Sequence, residues 1–340
     1  MVAIDSKINK EALRNEAKYI REVNCINKRI DFNNTWEIGK IWTDDASLAL
    51  SQYIENITIW TSIPLNKNAI AFFSSNPTID KTFSLFLDSF DAIPYHPDFA
   101  FDIIWRAFEV SLSGYGNKHW RPCPEGTHVL ISKAANDIID SLAIQDSSLH
   151  SVIQDYLCHI PLPLLRFMFA RMYYKRELGV NQQLTLIQSR CKDVLGEIYE
   201  LIEQKYDINT CSIVSPEDNR NAALLLGKIM SGETVVLGSP QKTFKGLSLK
   251  QRIDLFINGI LYTSRCERFH GDVPSPFKNS LNTSLSRYQS YYYMAAMTTI
   301  FYYCILYKEA SFSDIEIFSL NNIAVSFGNI RENISSMHKY

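Results

Sequence analysis

Residues 248–271 read SLKQRIDLFINGILYTSRCERFHG, and most of what can be inferred about the fold starts from this stretch. Ser248 followed three residues later by Gln251 is a capping-box pattern, in which each side chain serves the other's backbone N–H at a helix N-terminus. Behind it, Ile253, Phe256, Ile257, Ile260 and Leu261 recur at helical spacing. The predicted helix runs on to Phe269-His270. Gly271 is its natural C-terminal residue, and Pro274 and Pro276 prevent continuation.

Downstream, Tyr288 to Tyr307 holds no charged residue over twenty positions, seven of them tyrosine. That is the length of a membrane span. The tyrosines, however, flank only the eight residues Met294 to Phe301, roughly 12 Å of apolar helix against a bilayer core of about 30 Å. Phenol groups suit a hydrogen-bonded core, so a buried helix is expected and no membrane partner.

Upstream the reading is helical almost throughout. Leu13, Ala17, Ile20 and Val23 mark one amphipathic helix, and Asp44-Asp45 caps another whose face is Leu50, Tyr53, Ile54 and Ile57. Ile70 to Phe73 has the look of a short strand. HPDFAFDIIWRAFEVSL, residues 96–112, predicts a strong helix, closed off by the irregular YGNKHWRPCPEG. Further helices are expected around 130–145, 149–158 and 163–178. Leu184, Ile187, Cys191, Val194, Ile198 and Leu201 alternate steps of three and four, the spacing of a long helix packed along another. NAALLLGKIM predicts a short helix, followed by a Gly/Pro/Ser-containing connection up to 247. The fold class is therefore mainly all-α. Residues 1–90 are expected to form an N-terminal, mostly helical lobe, 91–320 one helical domain and 321–340 a tail.

Composition limits the functions available. In 340 residues with 46% hydrophobic side chains there is enough apolar content for a substantial core, which excludes disorder as the main state. Lys and Arg number 34 against 36 Asp and Glu, a net charge of -2, so nucleic-acid binding must use a local patch. The seven cysteines are scattered without a CxxC, and the charged N-terminus has no apolar signal segment, so a reducing cytoplasm is expected. No P-loop, dinucleotide fingerprint, HExxH or GxSxG occurs. His119, Cys123, His128, Cys158 and His159 are zinc-ligating types, but their spacing matches no standard site, and neither metal nor cofactor is expected.

Chemistry is best sought at Arg265 and His270. Metal-free phosphodiester cleavage needs a group that shuttles a proton near neutral pH, which His does, and a fixed cation for the developing charge, which Arg supplies. The five-residue offset sets the two about 140° apart on a helix, flanking a groove. A second copy of the helix would put two Arg and two His in one cleft. Arg268 adds a positive group at i+3 from Arg265. Arg121 with His128 and Arg331 with His338 have comparable spacing, but one pair lies in a Pro/Gly loop and the other in the terminal tail. Trp105 and Arg106 are candidates to face the same cleft, Trp105 with a core role as the alternative.

RCERFHG at the end of a long apolar helix, the loop DVPSPFKNS, the tyrosine-rich helix and the upstream FAFDIIWRAFEVSL together resemble the HEPN superfamily. The closest likeness is to its Apea-like, defence-associated branch, over roughly residues 91–320. The resemblance implies an all-α bundle that dimerises and cuts RNA without metal, the RNA 2′-OH attacking its own phosphate to leave a 2′,3′-cyclic phosphate and a 5′-OH. Arg265 would neutralise the phosphate and His270 act as acid and base. Arg268, Cys266, Tyr288 and Tyr292 are candidate RNA contacts, with core packing or a dimer interface as the competing role of the tyrosines. The family usually has Asn, Asp or His after the Arg. Here Cys266 stands there, and a thiol is a poor hydrogen-bond donor. The resemblance further implies a toxin or antiviral effector held by a regulatory partner, an antitoxin or infection sensor. The alternative is an inactive HEPN module that scaffolds a complex.

Overall fold

The computed structural model describes residues 77–92, 96–120, 129–134, 137, 147–173, 182–207, 215–269 and 285–309. The expected helices before residue 60, the strand at 70–73, most of the irregular stretch after Trp120, His270, Gly271 and the 321–340 tail lie outside them. The described part is mainly α-helical with one two-stranded hairpin. In chain order it comprises α1 (Pro77–Ala92), α2 (Pro97–His119), α3 (Ser147–Cys158), α4 (Leu162–Tyr173), α5 (Gln182–Leu195), α6 (Glu197–Lys205) and α7 (Pro216–Ser231). The hairpin β1 (Val235–Leu237) and β2 (Lys242–Phe244) comes next, then α8 (Leu249–Phe256), a π-helical turn (Ile257–Leu261), α9 (Tyr262–Phe269) and α10 (Leu285–Glu309).

The tyrosine-rich segment is the centre of the core. Every residue of α10 from Gln289 to Leu306 is buried, as a helix apolar on all sides requires. It packs against α2, α3 and α4, and Phe86 of α1 meets the rings of Tyr302 and Tyr303. Several of its polar atoms bond inside: the Tyr293 hydroxyl donates to the Tyr156 carbonyl at 2.5 Å, and Tyr302 donates to Thr82 Oγ1 at 3.2 Å. Among the described residues no helix is long and apolar enough to cross a membrane.

Three local expectations need correction. First, α2 does not close at Leu112 but continues to His119, through Gly114 and Gly116. Tyr115 and Trp120 are buried edge to face, and the Trp120 indole donates to Asp137 at 2.7 Å, so tertiary packing overrides the weak helix propensity of glycine. Second, the expected long helix through 184–201 is two helices. Gly196, at φ +55°, breaks it, while Ile187, Cys191, Leu195, Ile198 and Ile202 keep one continuous buried face. Third, the connection after α7 contains a hairpin, with Val235 opposite Phe244 and Leu237 opposite Lys242. Its inward Val235 and Leu237 alternate with exposed Val236, the period of a half-buried strand.

Helix α1 shares this core, through Ile79, Phe83 and Phe86, and packs along α2. The expected division at residue 90 thus falls inside α1, two residues before its end.

Candidate functional site

The capping box forms as the sequence indicates. Ser248 Oγ accepts from the Gln251 amide at 3.3 Å, and Gln251 Oε1 accepts from the Ser248 amide at 3.0 Å. What the apolar periodicity does not show is the π turn between α8 and α9. The Tyr262 amide reaches back five residues to the Ile257 carbonyl, and the Thr263 hydroxyl donates to the Asn258 carbonyl at 2.7 Å, serving an acceptor that the widened turn leaves over. Gly259 permits the close approach: a Cβ there would sit 3.2 Å from Met168 Cε and 3.5 Å from Cys191 Sγ. The inserted residue rotates everything after it, so the π turn sets which face α9 presents.

That face is fixed by ion pairs on two sides. Towards α2, Arg268 makes a two-pronged contact with Asp102 at 2.9 and 2.6 Å and also reaches Asp98 Oδ2 at 3.4 Å. Its side chain is only 6% exposed, with the guanidinium over the Tyr291 ring. Burial alone would depress the Arg268 guanidinium, but the Asp102 hydrogen bond and the neighbouring Tyr291 and Asp98 outweigh it and hold the proton more tightly than usual. Towards α4, Glu267 forms a two-pronged pair with Arg171, the Nη2–Oε2 contact at 2.9 Å.

Arg265 sits between these anchors in a different state. Its Nη2 donates to Glu109 at 3.2 Å, its side chain is 23% exposed, and its guanidinium lies 4.5 Å from the centroid of Phe269. Phe269 is itself 44% exposed, and the exposed Arg106 approaches the same ring at 5.5 Å. One turn back, half-buried Tyr262 carries Arg190 of α5 over its ring at 5.2 Å and meets Trp105 of α2 at 6.1 Å. Burial, then the adjacent Cys266, push the Tyr262 phenol up, so it stays protonated near neutral pH. The outcome is a strip of three arginines interleaved with two aromatic rings. No carboxylate among the described residues pairs with Arg106 or Arg190.

The residues singled out in the sequence are therefore distributed unevenly. Arg265 faces solvent in the strip. Cys266 is buried beside Tyr262, and Arg268 is buried among carboxylates, which gives both a positioning role in this structure. Tyr292 is fully buried in α10, with no face for a base to stack on. The Tyr288 side chain and His270 lie outside the described residues. Trp105 is core, as its alternative reading had it. Of the zinc-ligating types, His119, Cys158 and His159 are described, and no group of three His, Cys, Asp or Glu side chains that could hold a metal ion occurs among the described residues. Sequence reasoning missed Glu109 and Arg190. Neither has a local signal, since each joins the strip only through helix packing. Phe269 stood within the quoted motif, and a bulky apolar residue beside a helix-ending His-Gly was the available clue to its exposure. The chain matches no protein-family model, no curated protein and no solved structure.

Proposed function

We propose that the chain is a metal-independent endoribonuclease of HEPN type. In this reading a 2′-oxygen bonds to the adjacent phosphorus and the P–O5′ bond breaks. His270 takes the 2′-OH proton and the departing 5′-oxygen is protonated, leaving a 2′,3′-cyclic phosphate and a 5′-OH. Arg265 neutralises the charge that develops on the phosphate oxygens. The observation that carries the reading is the state of Arg265. It is part-exposed and oriented by Glu109 and Phe269; its Nε is buried and one Nη2 donor is on Glu109, so its open end, at the Nη groups, is the part left for a phosphate. His270 directly follows Phe269, which places a proton shuttle next in the chain to that ring. The likeness to defence-associated HEPN proteins adds a homodimer, a cytoplasmic site of action and a toxin or antiviral role released by a regulatory partner.

The test is cleavage of RNA by the purified protein in EDTA, beside His270→Ala and Arg265→Ala, with product ends mapped. Cyclic-phosphate ends that disappear in both variants support the reading, and cutting that survives His270→Ala refutes the site. A second reading, a non-catalytic HEPN scaffold, draws on the Arg265–Glu109 pair as a purely structural contact. It predicts a stable dimer that leaves RNA intact even when its partner is removed.

A further inference from the structure

The strip on α9 is larger than a catalytic Arg requires. Tyr262, Arg265 and Phe269 fall at i, i+3 and i+7, on one face of the helix, and span about 10 Å along its axis. Arg190 from α5 and Arg106 from α2 extend the face at its two ends, each held over an aromatic ring and neither paired with a carboxylate among the described residues. Two carboxylates of α2 beside α9 are already engaged: Glu109 by Arg265, and Asp102 by the buried Arg268. In a chain of net charge -2, three neighbouring guanidinium groups, two of them without a carboxylate partner among the described residues, are a departure from the bulk and attract a polyanion.

We infer that Arg190, Tyr262, Arg265, Phe269 and Arg106 form a track for single-stranded RNA. The inference rests on the RNA reading proposed above and adds which strand form is bound and by which groups. Guanidinium groups track the phosphates, while the exposed part of Phe269 and the guanidinium planes provide stacking surfaces for unpaired bases. A base already stacked in a duplex cannot use such surfaces, so the track discriminates by strand state. Phe269 is the main stacking element because it is the more exposed of the two rings.

The experiment is fluorescence anisotropy of the full chain with a labelled single-stranded RNA whose 2′-hydroxyls are methylated, so that it lacks the attacking group, and with the same sequence as a duplex. Phosphate contacts on a single strand give a slope of log K against log salt of about 0.7 per contact, so Arg106→Gln with Arg190→Gln lowers the slope by about 1.4. Phe269→Leu keeps apolar volume and weakens binding about tenfold with the slope unchanged. Melting curves of the variants check that each is folded. Equal affinity for the duplex, a wild-type slope in the double variant, or no binding at low salt overturns the track. The two proposals fail separately. Binding through the track without cleavage of unmodified RNA would remove the nuclease and keep the track, and cleavage with an unaltered salt slope in the double variant would do the reverse.

Discussion

Helix α10 fills the core and α9 borders it, and different forces hold them. α10 is buried over its whole central length, and Tyr293 and Tyr302 bond within the core it fills. α9 is a short helix whose neighbours grip it by charge, Arg268 on Asp98 and Asp102 and Glu267 on Arg171, which leaves Arg265 and Phe269 towards solvent. Packing by shape tolerates no exposed polar group, whereas packing by paired charge can anchor one side of a helix and present the other. The helix best suited to carry a site is the less apolar one.

The largest effect that would sharpen this contrast is alkaline unfolding. Burial holds the phenols of Tyr293 and Tyr303 well above their ordinary range, and burial pushes the Cys191 thiol up to about 12. The unfolded phenol titrates near pH 10, and a folded value above it means stability is complete below about pH 10 and falls as pH rises past it. Tyrosinate absorbance and loss of helical circular dichroism should therefore rise together in one transition. Absorbance that titrates while the helices persist would break the picture of α10 as a sealed element.

Next in size is Arg268→Ala. It takes a cation away from Asp98, which is fully buried, and removes the two-pronged contact to Asp102. Removing one side of a buried pair costs about 4 kcal/mol, which urea unfolding would read. A loss below about 1 kcal/mol would show that the charges do not hold α9. Ile300→Ala, at a position with no exposure, probes the other mode and is expected to cost about 3 kcal/mol by cavity formation. The smallest is Tyr293→Phe, about 1 kcal/mol, because the Tyr156 carbonyl that loses the phenol keeps the His159 amide. If this change cost as much as Ile300→Ala, hydrogen bonding rather than shape would dominate α10.

Much of this was legible beforehand, for identifiable reasons. The capping box at Ser248 and Gln251, the helix that follows it and the buried tyrosine helix all depend on residues close in sequence, and all are found. The break at Gly196 was hidden because both halves keep the same apolar spacing across it. The extension of α2 through two glycines was hidden because burial of Tyr115 and Trp120, not propensity, sustains it. Arg265 was legible as a candidate from its spacing to His270, but nothing local showed that Arg268, three residues on, is the one that is buried.

That distinction marks the boundary between the two kinds of information. Periodicity, capping chemistry and composition are local, and by themselves they determine that this is a mainly helical protein with a charged segment closing its best-marked helix. Which arginine is buried and which is left part-exposed depends on Asp98, Asp102 and Glu109 arriving from a helix more than 150 residues earlier, and on a π turn that rotates α9 against them. The tertiary structure decides this because a charge can be buried only where its partner is, and partners distant in the chain meet only once the core has packed.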